Sequence, residues 1–275
     1  MTDIPPPSEP EFPEPPPPPT PPPVPPVPPE PTPPPPPPAY PAPQYSYPQQ
    51  YPTPTISSAD RLRNAWQRRN ETDYIFNFWT AFGWTILSCG FYLIYIVYQL
   101  FRRARDHNAR RIELLDASSA FAWEQAQARG LADELRPAFE RISPHMGTLR
   151  SYANEFRDPT IWTILSVFFR EVVSIIAYIL IDGDLVRHDY AEGAIEHELS
   201  QIYGRLGASV PAPDPSRLKG QHNYVGRVIA TIFTFGIYGF WWEYDIMTET
   251  NRHYEECWRW EDGVAEAVQQ LLTVR

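Results

Sequence analysis

The residues best able to do chemistry in this chain are histidines, and three of its six stand at related places. His107, His188 and His253 each follow an apolar stretch. Carboxylates lie one or two helical turns away: Glu192 and Glu196 beyond His188, and Glu256 beside His253. Imidazole and carboxylate at such spacing are the usual ligands of a divalent transition metal. The surroundings of His107 argue the other way. Arg102, Arg103, Arg105, Arg110 and Arg111 crowd it, and clustered positive charge repels a cation. The sequence therefore favours histidines that hydrogen-bond, with no metal and no cofactor assigned. Phosphate loops, dinucleotide fingerprints, nucleophile elbows and paired-cysteine zinc motifs do not occur. No catalytic residue is named, and the expected class is a non-enzyme. Cys89 and Cys257 lie in unlike surroundings and form no disulfide framework.

A second polar feature interrupts an apolar run. Arg170 and Glu171 fall in the middle of "TIWTILSVFFREVVSIIAYILI", residues 160–181. Charges placed inside a membrane cost ~2.5–3.5 kcal/mol each on insertion scales. Neighbouring helical positions point about 100° apart, so this pair is expected to seek partners beyond itself. Tyr92 and Tyr238, at matching depth in the other apolar runs, complete a candidate intramembrane polar site.

Three apolar stretches must position these groups: 74–101, 160–181 and 224–242. Each approaches the ~20 residues that cross a bilayer core, with aromatic residues near its ends as in interfacial belts. They read as copies of one another. Trp-Thr-Ile-Leu-Ser occurs at 84–88 and again at 162–166. Without gaps, Thr85 aligns with Thr231, Gly90 with Gly236, Tyr92 with Tyr238 and His107 with His253. The repeated unit is an apolar segment, an aromatic exit and a polar helix bearing a histidine. Gly90, Gly236 and Gly239 form a helix-break or packing motif. Glycine either ends a short helix in a left-handed cap, giving a re-entrant hairpin, or lets a neighbour approach a crossing helix. Arginines on both flanks of the first stretch favour the hairpin, because basic residues stay on one side. The middle stretch has Phe168 in place of the glycine and reads as one continuous helix.

"TFGIYGFWW" at 234–242 and, more loosely, "SCGFYLIY" at 88–95 resemble a family of bacterial and archaeal membrane proteins of unknown function. Its mark is a repeated Thr-x-Gly-Ile-Tyr-x-x-x-Trp segment. "VFFREVVS" keeps only the lead-in. The resemblance covers roughly 74–262. It implies an all-helical membrane protein and brings no activity or binding residues.

Residues 1–56 are of another kind. The first 60 residues hold 29 of the 35 prolines, with six acidic residues and no basic ones. Such a tract cannot bury a core, so a disordered tail of polyproline II character is expected. "PPAY" at 37–40 matches a WW-domain ligand. The start of the chain has neither a basic nor an apolar leader region, so an internal segment is expected to direct insertion. Between the first two stretches, Leu131, Leu135, Phe139, Ile142, Met146, Leu149 and Tyr152 mark one amphipathic face, interrupted at Pro137 and Pro144. "AEGAIEHELSQIYGRLG" reads as a further short amphipathic helix.

The resulting expectation is an all-α membrane protein with three repeated apolar segments, as re-entrant hairpins or single crossings. Its parts are a tail 1–56 and units 57–157, 158–218 and 219–275. It is placed in the cytoplasmic membrane of a prokaryote with its tail on the cytoplasmic side. The expected role is a membrane scaffold or adaptor whose tail recruits or spaces a protein partner. The alternative is a small transporter using Arg170 and Glu171. The lipid bilayer is the main partner, with anionic lipid at "RLRNAWQRR" and "RRARDHNARR". A domain-wide basic footprint for nucleic acid is absent.

Overall fold

Each apolar stretch is built as a short helix that turns sharply into a long one. The structure, a computed structural model, describes residues 56–154, 158–214 and 222–273, all within the unit Pro52–Arg275. The proline-rich tail with its "PPAY" segment, and the linker at 215–221, lie outside the described residues. Two small helices come first, α1 (Ser58–Gln67) and α2 (Arg69–Thr72). The first hairpin is α3 (Phe78–Leu87) and α4 (Tyr92–Ala128), followed by the linking helix α5 (Ala132–Asn154). The second is α6 (Pro159–Phe168) and α7 (Arg170–Arg205), and the third is α8 (Tyr224–Phe233) and α9 (Ile237–Thr273). Every regular element among the described residues is a helix.

The same local chemistry starts each short helix. Asn77, Asp158 and Asn223 accept from the amides of Thr80, of Thr160 and Ile161, and of Gly226, satisfying donors that have no partner inside the helix. The turns of the outer hairpins are near-identical. Cys89 and Gly90 take φ of 50° and 89°, and Phe235 and Gly236 take 49° and 89°. Gly90 N–H donates to the Thr85 carbonyl and Gly236 N–H to that of Thr231, both at 2.8 Å, the long bond of a glycine-terminated helix. Ser88 and Thr234 then accept from the amides of Tyr92 and Tyr238, both at 2.9 Å, so one hydroxyl caps the helix that follows.

The middle hairpin breaks without glycine. Phe169, at φ −133° and ψ 42°, separates α6 from α7, so the expected continuous helix through Arg170 does not form. Gly239, inside α9, has no special backbone geometry; a methyl there would lie 3.5 Å from Thr231 Cγ2 across the hairpin. That is an ordinary contact, so neither the backbone nor the packing calls for glycine at this position.

The long helices run side by side in the same sense, because their first halves share one apolar cluster and their second halves another. The tip-side cluster includes Leu100, Phe101, Trp162, Ala177, Ile181, Trp242 and Met247. The rear cluster includes Leu114, Leu115, Phe121, Ile195, Leu199, Trp260 and Val264. Helix α1 packs on α4 and α9, with Trp66 Nε1 donating to Asp262 at 2.8 Å. Helix α5 lays Leu135, Ile142, Met146 and Leu149 into the rear cluster and packs on α7 and α4. It runs unbroken through Pro137 and Pro144, both on its exposed side. Burying each large apolar side chain returns ~1.5–3 kcal/mol, which outweighs the ~3 kcal/mol lost at each interior proline. "AEGAIEHELSQIYGRLG" is not a separate helix, since α7 continues to Arg205.

This architecture corrects the membrane-protein expectation. Each apolar stretch is divided between two helices, and no helix among the described residues is long and apolar enough to cross a membrane. The ten-residue short helices reach ~15 Å, half a hydrocarbon core, and the long ones turn polar soon after their start. The assignments as a transmembrane, integral protein of the cytoplasmic membrane are overturned by the same finding.

Candidate functional site

Between the two apolar clusters lies a layer of buried polar side chains, and the three repeat-related histidines meet there. His107 on α4, His188 on α7 and His253 on α9 form a triangle with ring centroids 5.4, 5.3 and 5.5 Å apart. Glu192, one turn beyond His188, sits at its centre. Its carboxylate lies 3.3 Å from His188 Nε2, 3.4 Å from His253 Nε2 and 4.0 Å from His107 Nε2. Cys257, one turn beyond His253, brings its sulfur to 3.4 Å from Glu192 Oε2 and 3.7 Å from His253 Nε2. Ligand atoms of His107, Glu192, His253 and Cys257 all fall within 4.8 Å of one another.

The outer nitrogens of two rings are anchored. His107 Nδ1 donates to Asp73 at 2.9 Å, and His253 Nδ1 donates to Asp189 at 2.7 Å. A carboxylate offers only acceptors, so these bonds fix the proton on Nδ1. Burial pushes His107 down to about 3, despite Asp73 and Glu192 beside it, so its ring is neutral. Burial would raise Asp73, but His107, Arg110 and the Trp258 indole hold it well below the usual carboxylate range.

The arginines are tied to acids rather than spread around His107. Arg110 donates to Asp73 at 2.6 Å and Glu261 at 2.8 Å. Arg111 donates to Glu192 at 2.5 Å, to Glu261 at 2.9 Å and to Glu196. Burial raises Glu192, and Arg111, with His188 and His253, overrides it and keeps the group ionised. Burial also raises Glu261, against the pull of Arg111 and Arg110. Asp73, Asp189, Glu192, Glu196 and Glu261 are all buried; Arg110 and Arg111 pair with four of them, and Asp189 pairs with His253. Arg103, pulled down to about 10 by burial, bonds to Asn251 and the Ile246 carbonyl. A cavity of about 270 Å³ opens beside the layer, lined by Arg103, His107, Tyr152, Asp158, His188 and Tyr254 among others.

The sequence-based polar site is arranged differently. Arg170 and Glu171 pair with each other at 3.0 Å, with side chains 42% and 78% exposed. Arg170 begins α7, so its side chain is not held to mid-helix directions and folds back on its neighbour. It also lies over the first turn: a methyl at Gly90 would come within 2.9 Å of its Nη1. Tyr92 packs against Trp84 and Tyr95, and Tyr238 packs on the tip-side cluster. No hydrogen bond among the described residues joins either tyrosine to Arg170 or Glu171.

Several residues of the layer escaped the sequence reading: Asp73, Arg110, Arg111, Asp189, Cys257 and Glu261. One signal was present. His188, Glu192 and Glu196, like His253, Cys257 and Glu261, recur every four residues and therefore share a helix face. Asp73 follows α2 and carries no such mark. Of the arginines expected at a lipid surface, Arg103, Arg110 and Arg111 are buried, while Arg61, Arg68 and Arg69 form partly exposed pairs with Asp116, Glu113 and Asp262.

Comparison of the chain with protein-family models, with curated proteins and with solved structures gives no match. The likeness to the Thr-x-Gly-Ile-Tyr-x-x-x-Trp family therefore rests on the residues quoted for it.

Proposed function

We propose that the protein is a non-enzymatic scaffold that rests on one face of a lipid bilayer through its three hairpin tips, with the proline-rich tail as a spacing or recruiting arm. The observation that supports this is the exposure of large apolar side chains at all three turns. Phe91 is 73% exposed, Phe168 73%, Phe233 79% and Phe235 97%, and Leu87, Phe169 and Ile237 accompany them. Proteins rarely expose apolar surface on this scale without a partner for it. The parallel long helices place the tips at one end of the bundle, and Phe82 stacked edge-on to Phe240 at 5.5 Å joins the first and third. Trp79, Trp84 and Trp241 lie exposed on the same hairpins, and indoles favour the headgroup level of a bilayer. The tips enter the interface and the layered bundle stands clear of it. Arg170 and Glu171 close on each other at the surface, which gives a polar pathway no support.

Flotation with phospholipid vesicles tests the reading. The full chain is expected to float with the vesicles, and the triple variant Phe91→Asp, Phe168→Asp, Phe235→Asp to remain at the bottom with its helical circular dichroism intact. Equal flotation of both proteins, or a change confined to oligomeric state by light scattering, would overturn it.

A further inference from the structure

The histidine layer poses an electrostatic problem that its own side chains leave unsolved. With their Nδ1 protons given to Asp73 and Asp189, His107 and His253 turn the lone pairs of Nε2 inward, toward the carboxylate of Glu192. His107 is 2% exposed, and its Nε2 has no hydrogen-bond partner among the described residues. Lone pairs facing a carboxylate in a dry interior repel one another unless positive charge lies between them. The nearest guanidinium, that of Arg111, approaches Glu192 while also bonding Glu196 and Glu261.

The spacing fits a bound ion. Donor atoms held at ~2.0–2.3 Å around a tetrahedral centre lie roughly 3.3–3.8 Å apart. Glu192 lies 3.4 Å from His253 Nε2 and 4.0 Å from His107 Nε2, and Cys257 sulfur lies 3.4 and 3.7 Å from Glu192 and His253, with donor atoms of all four residues inside 4.8 Å of one another. These contacts are loose as hydrogen bonds and close to the edges of a coordination polyhedron, that of His107 being the longest. Asp73 and Asp189 behind the rings supply the outer carboxylates that commonly orient metal-bound imidazoles. His107 and His188 border the cavity, which provides an entry path.

We propose that His107, His253, Glu192 and Cys257 bind one divalent transition-metal ion of the zinc class, with His188 adjoining. Nitrogen, carboxylate and thiol donors select such an ion over calcium or magnesium, which take oxygen ligands. His107 on α4, Glu192 on α7, and His253 with Cys257 on α9 supply the ligands, so the ion joins the three long helices at the layer. The arginines of the sequence do not oppose it, because Arg110 and Arg111 act from outside the ligand set as partners of its acids.

The full chain, stripped by chelation and titrated with cobalt(II), is expected to bind one equivalent with visible ligand-field bands, which zinc then displaces. Cys257→Ser should keep the bands and lose any sulfur-to-cobalt charge transfer. His107→Gln with His253→Gln should weaken zinc binding by about 100-fold or more, and Asp73→Asn by roughly 10–100-fold. Wild-type chain that takes up no cobalt overturns the proposal irrespective of how any variant folds. So does full uptake by the His107→Gln, His253→Gln variant whose helical dichroism matches wild type.

Discussion

Arg170 and Glu171 stand in a run of apolar sequence, yet they end at an exposed turn, paired with each other. Arg111 and Glu192 stand in stretches that read as polar, yet both are fully buried and knit α4, α7 and α9 together. The difference shows that an apolar sequence does not by itself place a side chain in the interior. A hairpin can turn its apolar residues outward, and a long helix behind it can bury its charged half against two sisters. Charges at the tip are exposed and satisfied by each other; charges in the layer must be matched one against another.

The largest effect is expected where that matching is broken. Arg111→Ala leaves Glu192, Glu196 and Glu261 without their shared guanidinium, and removing one partner of a buried ion network costs ~3–5 kcal/mol. Urea unfolding should register the loss. If the variant is as stable as wild type, the layer does not carry the charge coupling described.

A buried acid with no guanidinium partner among the described contacts sharpens the same contrast. Glu243, on the tip side of α9, is pushed up to about 7 by burial, opposed only by the hydrogen bond of Tyr178. Its folded form holds the proton that the unfolded form releases near 4.5. Stability from this group is therefore complete below that pH and is lost as pH rises toward 7, by an amount on the order of 3 kcal/mol. Glu243→Gln should flatten unfolding free energy across this window. Asp73 has the opposite sign, its depressed carboxyl losing stabilisation only in strong acid. An unchanged slope in Glu243→Gln would remove the group from the account.

The smallest effects belong to the tips. Gly236→Ala forces a side chain into a left-handed conformation at about 1–2 kcal/mol. Gly90→Ala carries the same strain and also displaces Arg170, so its loss should be larger. Arg170→Ala alone should change stability by about 0.5 kcal/mol or less, as exposed pairs do. In the double variant, the Gly90 penalty should fall to that of Gly236. Equal penalties in the single variants would show that Arg170 does not rest on that turn.

Much of the helical plan was legible because it was repeated. The recurrence of Trp-Thr-Ile-Leu-Ser and the alignment of Gly90 with Gly236 located the units, and the related positions of the three histidines foretold that they could meet. The turns at Gly90 and Gly236 were legible as the favoured hairpins; what was misread is that the stretches belong to an integral membrane protein. Length and hydropathy alone do not distinguish one crossing helix from a ten-residue helix, a turn and the start of another. The break at Phe169 carries no glycine to announce it. The candidate site was discounted because arginine near His107 was counted as charge without its partners. Asp73, Glu196 and Glu261, which absorb that charge, come from other helices or later turns, and only the folded bundle brings them together.

Asp73 and Trp66 hold the C-terminal helix from the N-terminal side. Trp258 donates its indole proton to Asp73 at 2.7 Å across 185 residues of sequence, and Trp66 donates to Asp262 across 196. In the order of synthesis, α1 and Asp73 emerge well before their partners. At ~5–20 residues per second, they wait roughly 10–40 s for α9. Closure of the polar layer therefore waits on synthesis of α9, which carries His253, Cys257 and Glu261.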